Sequence, residues 1–79
     1  MKKLDELLLE LGISKVRLAK YLGVSRQMLY NYLALSSLDE WPKEKALKLL
    51  SLLDIDSEEK INSLVITGDY IMKVETRLN

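Results

Sequence analysis

The apolar positions of the first fifty residues recur at helical spacing. Leu4, Leu7, Leu8 and Leu11 fall at i, i+3, i+4 and i+7, which predicts an amphipathic helix over 2–11, with Gly12 as its left-handed C-cap. Ser14 is placed to cap a second helix, Lys15 to Leu22, in which Leu18, Ala19 and Leu22 share one face. Gly23 ends that helix. After the apolar turn residue Val24, a second cap, Ser25, opens a third helix from Arg26 to about Leu35. Along it, Met28, Leu29, Tyr32 and Leu33 form an apolar sector, and Arg26, Gln27, Tyr30 and Asn31 face the other way. A polar connection from Ser36 to Trp41 leads to Pro42, whose missing N–H costs nothing in the first turn of a helix. That fourth helix runs to about Leu53 with Ala46, Leu49, Leu50 and Leu53 inward.

Two patterns fit the remainder. Ser57 reads as the cap of a fifth helix, with Glu58 and Glu59 complementing its N-terminal dipole. Ile61, Leu64, Val65, Ile71 and Met72 continue a helical stripe that passes through Gly68, where a break or kink is expected. Yet Tyr70, Met72, Val74, Thr76 and Leu78 also alternate as a strand would, and Thr67-Gly68-Asp69 suits a hairpin turn. With Leu abundant and Gly and Pro scarce, helix is the reading adopted, and the expected fold is all-α, a compact bundle of about five short helices.

Composition narrows the function. At 79 residues the chain is one domain with a small core, which a second subunit would help to stabilise. It has no Cys and no His, so disulfides, zinc-finger or haem ligation and imidazole-based catalysis are excluded. Gly12, Gly23 and Gly68 are too scattered for a phosphate-binding loop. The carboxylates lack the paired spacing of an acid–base couple, and Glu58-Glu59 reads as a cap feature rather than a metal site. No enzyme, cofactor or metal is therefore expected. Asp5, Glu6 and Glu10 interrupt any apolar leader, and the run Leu7-Leu8-Leu9 is far short of the ~20 residues that span a bilayer. The expectation is a cytoplasmic chain without a membrane partner.

Charge changes the picture more. The chain carries 12 basic and 12 acidic residues, a net charge of zero, where nucleic-acid binders usually show a basic excess. The zero is a cancellation. Between Ile13 and Ala34 stand four bases (Lys15, Arg17, Lys20, Arg26) and no acid, so the remaining residues carry −4.

The same stretch, KVRLAKYLGVSRQMLYNYLA, resembles the helix-turn-helix of lambda-repressor-like (Cro/CI-type, Xre-type) DNA-binding domains. Ala19 is small where the next helix crosses. Gly23 tolerates the positive φ of the turn. Leu18, Leu22, Val24, Leu29 and Tyr32 supply the apolar contact between the helices, and Ser25 caps the second of them. The likeness covers about residues 2–55, with a helix-turn-helix at 15–34; residues 1–55 would form the DNA-binding domain and 56–79 a C-terminal helix or extension. Lys15 replaces the Gln common at the first motif position, and the link from Tyr32 to Pro42 is longer than the usual family link.

By position, the resemblance implies base reading by Arg26, Gln27, Tyr30 and Asn31. Arg26 suits guanine N7 and O6, and Gln27 or Asn31 suits adenine N7 and N6. Lys15, Arg17, Lys20 and Ser25 are the implied phosphate contacts. The family function is sequence-specific double-stranded DNA binding by a transcriptional regulator, a repressor by preference, acting as a homodimer on two half-sites. Neutralising about 4–6 phosphates would give a log–log salt slope of roughly −4 to −5. Ile61, Leu64, Val65, Ile66, Tyr70, Ile71 and Val74 together exceed what a lone terminal helix needs to dock, and Ile66, Tyr70, Ile71 and Val74 among them are the expected dimer surface. The alternative functions are a protein–protein interaction module, or the DNA-binding head of a larger chromosome- or plasmid-maintenance protein.

Overall fold

The first helix, α1 (Lys2–Leu11), buries the leucine stripe its spacing predicts: Leu4, Leu7, Leu8 and Leu11 are all buried. Gly12 then takes a left-handed φ of 69°, and Gly12 and Ile13 donate their N–H groups to Leu9 and Leu8, which stops the helix. The chain turns into α2 (Lys15–Leu22) and α3 (Arg26–Leu33), joined by a three-residue turn. A short 3₁₀ turn at Leu38–Glu40 precedes α4 (Lys43–Leu53), and a 3₁₀ helix at Glu58–Ser63 precedes α5 (Gly68–Leu78). The computed structural model describes residues 2–79, and among them it is all-α, 73% helical, with five α-helices and no strand.

The last third of the chain departs from the sequence reading. Ser57 makes no side-chain cap bond, and the stretch it opens is a single 3₁₀ segment. The carboxylate of Glu58 serves a distant element instead, accepting from Ser37 Oγ (2.9 Å) and the Leu38 N–H (3.1 Å). Residues 64–67 are extended, Thr67 Oγ1 accepts from the Tyr70 N–H, and α5 starts at Gly68. The helix break thus falls just before Gly68, and the strand alternative does not form.

All five α-helices share one core. Leu18, Leu22, Leu29, Leu49, Leu52 and Leu53 are fully enclosed, and Val74 of α5 is 1% exposed among them. Val74 therefore cannot belong to a dimer surface. The other proposed dimer residues also serve the fold within one chain. Ile66 and Ile71 are half-buried against the core, and Tyr70 donates its phenol to the Leu53 carbonyl at 2.6 Å. Burial pushes the Tyr70 phenol above its ordinary range, so it stays a donor at neutral pH. Arg77 donates to the Leu52 carbonyl at 3.2 Å. These two side chains satisfy carbonyls that the end of α4 leaves unpaired. The large apolar residues that α5 and its approach leave exposed are Met72 and Val65.

Candidate functional site

The basic stretch is built on two short helices whose ends are closed by their own side chains. Ser14 Oγ accepts from the Arg17 N–H (3.2 Å), and Ser25 Oγ from the Met28 N–H (3.0 Å). Both serines thus fill the cap positions read from the sequence. Gly23 sits at φ 74°, the left-handed conformation that L side chains resist. Its neighbour Val24 donates its N–H to the Ala19 carbonyl at 3.0 Å. From α4, Lys45 Nζ donates to the Leu22 carbonyl at 2.9 Å, placing a cation on the negative end of the α2 dipole. Nothing local in the sequence pointed to Lys45 as part of this turn.

Between the helices, Leu18, Ala19, Leu22 and Leu29 are buried and Val24 is half-buried. Tyr32 is half-buried and packs its ring on buried Trp41, with centroids 5.2 Å apart. That contact ties α3 to the connection before α4.

The outward face of α3 is turned slightly from the face read in the sequence. Met28, assigned to the core stripe, is 43% exposed, because α3 rests on Leu29 and Leu33. At about 100° per residue, Gln27 and Asn31 then stand at the middle of the open face. Tyr30 (45% exposed) and Met28 flank them, and Arg26 lies exposed in the first turn. Gln27 Nε2 donates to Asn31 Oδ1 at 3.3 Å, so one amide orients the other.

The basic residues divide. Lys20 and Arg26 are exposed and Lys15 is half-buried, none with an acidic partner among the described residues. Arg17, an expected phosphate contact, is instead clamped by α5. Its Nη1 and Nη2 donate to the two carboxylate oxygens of Glu75 at 3.2 and 2.5 Å, and Nη2 also reaches Asn79 Oδ1 at 3.4 Å. The local excess of charge falls from four to three, because the Glu75 carboxylate offsets the guanidinium. Ser25 has spent its acceptor on the cap but keeps a hydroxyl proton to donate. Among the described residues no cluster of three or more acids is arranged to hold a metal. Nor is any helix long and apolar enough to cross a membrane.

The Arg17–Glu75 pair has a pH signature. Hydrogen bonding by Arg17 lowers the Glu75 carboxyl below its ordinary range, with burial opposing and charge attraction helping. A carboxyl depressed in the fold stabilises it above the unfolded pKa, and that contribution fades as pH falls through the folded value. The melting temperature of the wild type should therefore drop more steeply on acidification below about pH 4 than that of Glu75→Gln. Parallel melting curves for the two proteins from neutral pH downward would show that the pair adds nothing.

Compared with protein-family models, characterised proteins and solved structures, the chain gives no match.

Proposed function

We propose that the protein binds double-stranded DNA through α2 and α3, with α3 in the major groove, as a sequence-specific transcriptional regulator. The observation that carries this reading is the open face of α3. A Gln–Asn pair, a Tyr and an Arg project from a helix held by its neighbours, and the adjoining α2 carries Lys15 and Lys20. Amide and guanidinium groups are the side chains that pair bidentately with adenine and guanine edges. The rotation of the open face moves Gln27 and Asn31 to the centre of the readout. Arg26 reads a flanking base, and Arg17 takes a structural role. Lys15 and Lys20 are the remaining phosphate cations, with the free hydroxyl proton of Ser25 as a neutral donor.

A homodimer remains part of the proposal, on residues other than Ile66, Tyr70, Ile71 and Val74. Met72 and Val65 are the exposed apolar residues of the C-terminal segment. Sedimentation that finds only monomer at high concentration would remove the dimer and leave DNA binding untouched. Function as a repressor at nucleoid DNA in the cytoplasm is the corresponding biological reading.

The test contrasts two exposed cations against a site selected from random duplexes. Arg26→Ala should cost roughly 1–3 kcal/mol on the selected site and relax preference at one position. Lys20→Ala should weaken binding to all duplexes alike. If both variants lose affinity equally on selected and scrambled sequences, Arg26 is a phosphate contact and base reading has to come from elsewhere.

A further inference from the structure

On α4, away from the proposed base-reading residues, a groove of about 450 Å³ opens between α4, the 3₁₀ turn before it and residues 56–59. That volume lies within the range of pockets that hold small ligands or side chains, about 300–1,000 Å³. Its walls are apolar where α4 and the turn contribute: Leu38, Trp41, Ala46, Leu47 and Leu50. Leu47 continues this apolar lining into solvent at 56% exposure. The rim is acidic, with Asp39, Asp56, Glu58 and Glu59 against the single base Lys43. Asp56 is paired with Lys60 at 2.8 Å, and Glu58 accepts from Ser37 and Leu38. The carboxylates of Asp39 and Glu59 have no partner among the described residues, and both residues are exposed.

We infer that this groove is a docking site for a basic amphipathic segment of a partner protein. One or two apolar side chains of that segment fill the space against Trp41 and Leu50. Its Lys or Arg groups pair with Asp39 and Glu59. Charge complementarity selects this occupant. An acidic or neutral segment would leave the two free carboxylates facing like charge or apolar surface, and like charges across an interface cost affinity. An apolar strip at helical spacing, Leu47 with Leu50, beside a charged rim is the surface that an amphipathic segment fits. The inference does not depend on what α2 and α3 bind.

Trp41 is the only tryptophan in the chain and lines the groove, so its emission reports occupancy directly. The probe is acetyl-Leu-Lys-Lys-Leu-Leu-Lys-amide. Its controls are the same peptide with Glu for Lys and the same peptide with Gly for Leu. The leucine–lysine peptide should change Trp41 emission saturably at sub-millimolar concentration, with both controls roughly tenfold weaker or more. Leu47→Ser should weaken the response several-fold, and so should Asp39→Asn with Glu59→Gln. All these side chains are exposed, and melting curves verify that the variants fold. Three results would overturn the inference. One is no saturable change, and another is an equal response to the acidic or leucine-free peptide. The third is a Trp41 change that appears with protein concentration alone and disappears in Leu47→Ser, which would make the occupant a second copy of this chain.

Discussion

Leu22→Ala should come close to unfolding the protein. Leu22 is fully enclosed at the end of α2, packed among the core leucines of its neighbours. Truncating a buried leucine to alanine typically costs about 2–5 kcal/mol, from lost transfer free energy and the cavity left behind. A domain of this length has a total stability of roughly 4–12 kcal/mol at about 0.05–0.15 kcal/mol per residue. Each kcal/mol lowers the melting temperature of so small a domain by about 4–8 °C. Thermal unfolding should therefore shift downward by roughly 8–40 °C. Leu9→Ala provides the contrast. Leu9 lies on the preceding helix, α1, and is 80% exposed, so its loss should stay within about 0.5 kcal/mol. Similar melting of the two variants would mean that the core is not organised around the α1 and α2 leucines as described.

The second large effect is expected at the turn. Gly23 lies at φ 74°, and a Cβ built there would meet only Lys45 Nζ at 3.8 Å, an ordinary contact. Space is therefore available, and the cost of a side chain is in the backbone. A non-glycine residue held in the left-handed region costs on the order of 1–3 kcal/mol, and a β-branched one is the least tolerant. Gly23→Val should reach the upper part of that range. It should also reduce duplex binding by more than its stability loss explains, because the turn sets the angle of α3 to α2. Asn enters the left-handed region readily, so Gly23→Asn should retain most of both properties. A valine variant that melts and binds as wild type would place the essential turn elsewhere.

What the residues revealed beforehand was local. The end of α1, both limits of α2 and the starts of α3 and α4 could be read because each is signalled by its neighbours: a Ser at the N-cap, a Gly at the C-cap, a Pro before α4. What escaped depends on contacts between distant residues. Glu75 lies 58 positions from Arg17, so a stretch without acids in sequence is not without acids in space. Glu58 looked like the dipole partner of its own helix, yet it serves Ser37 and Leu38. Met28 fits the apolar stripe of α3, but α3 meets the core along Leu29 and Leu33, and the stripe is wider than the contact. Val74 looked surplus because the space it fills is formed by helices earlier in the chain. The candidate recognition residues were legible for the opposite reason. Their exposure follows from the periodicity of one helix, and only the centre of that face shifted.

The pairing of Arg17 also alters what the charge pattern predicts in solution. With Glu75 offsetting it and Arg26 on a base edge, two cations of the stretch, Lys15 and Lys20, are left for phosphates. The most direct measurement is duplex affinity as a function of salt concentration, on genomic and random DNA. DNA binding through α2 and α3 predicts a linear log–log dependence with a slope of roughly −2 per bound protomer, about −0.9 for each phosphate neutralised. It also predicts a steeper slope in Glu75→Gln, where Arg17 is released. Binding that is undetectable on every duplex, or that does not vary with salt, would contradict it.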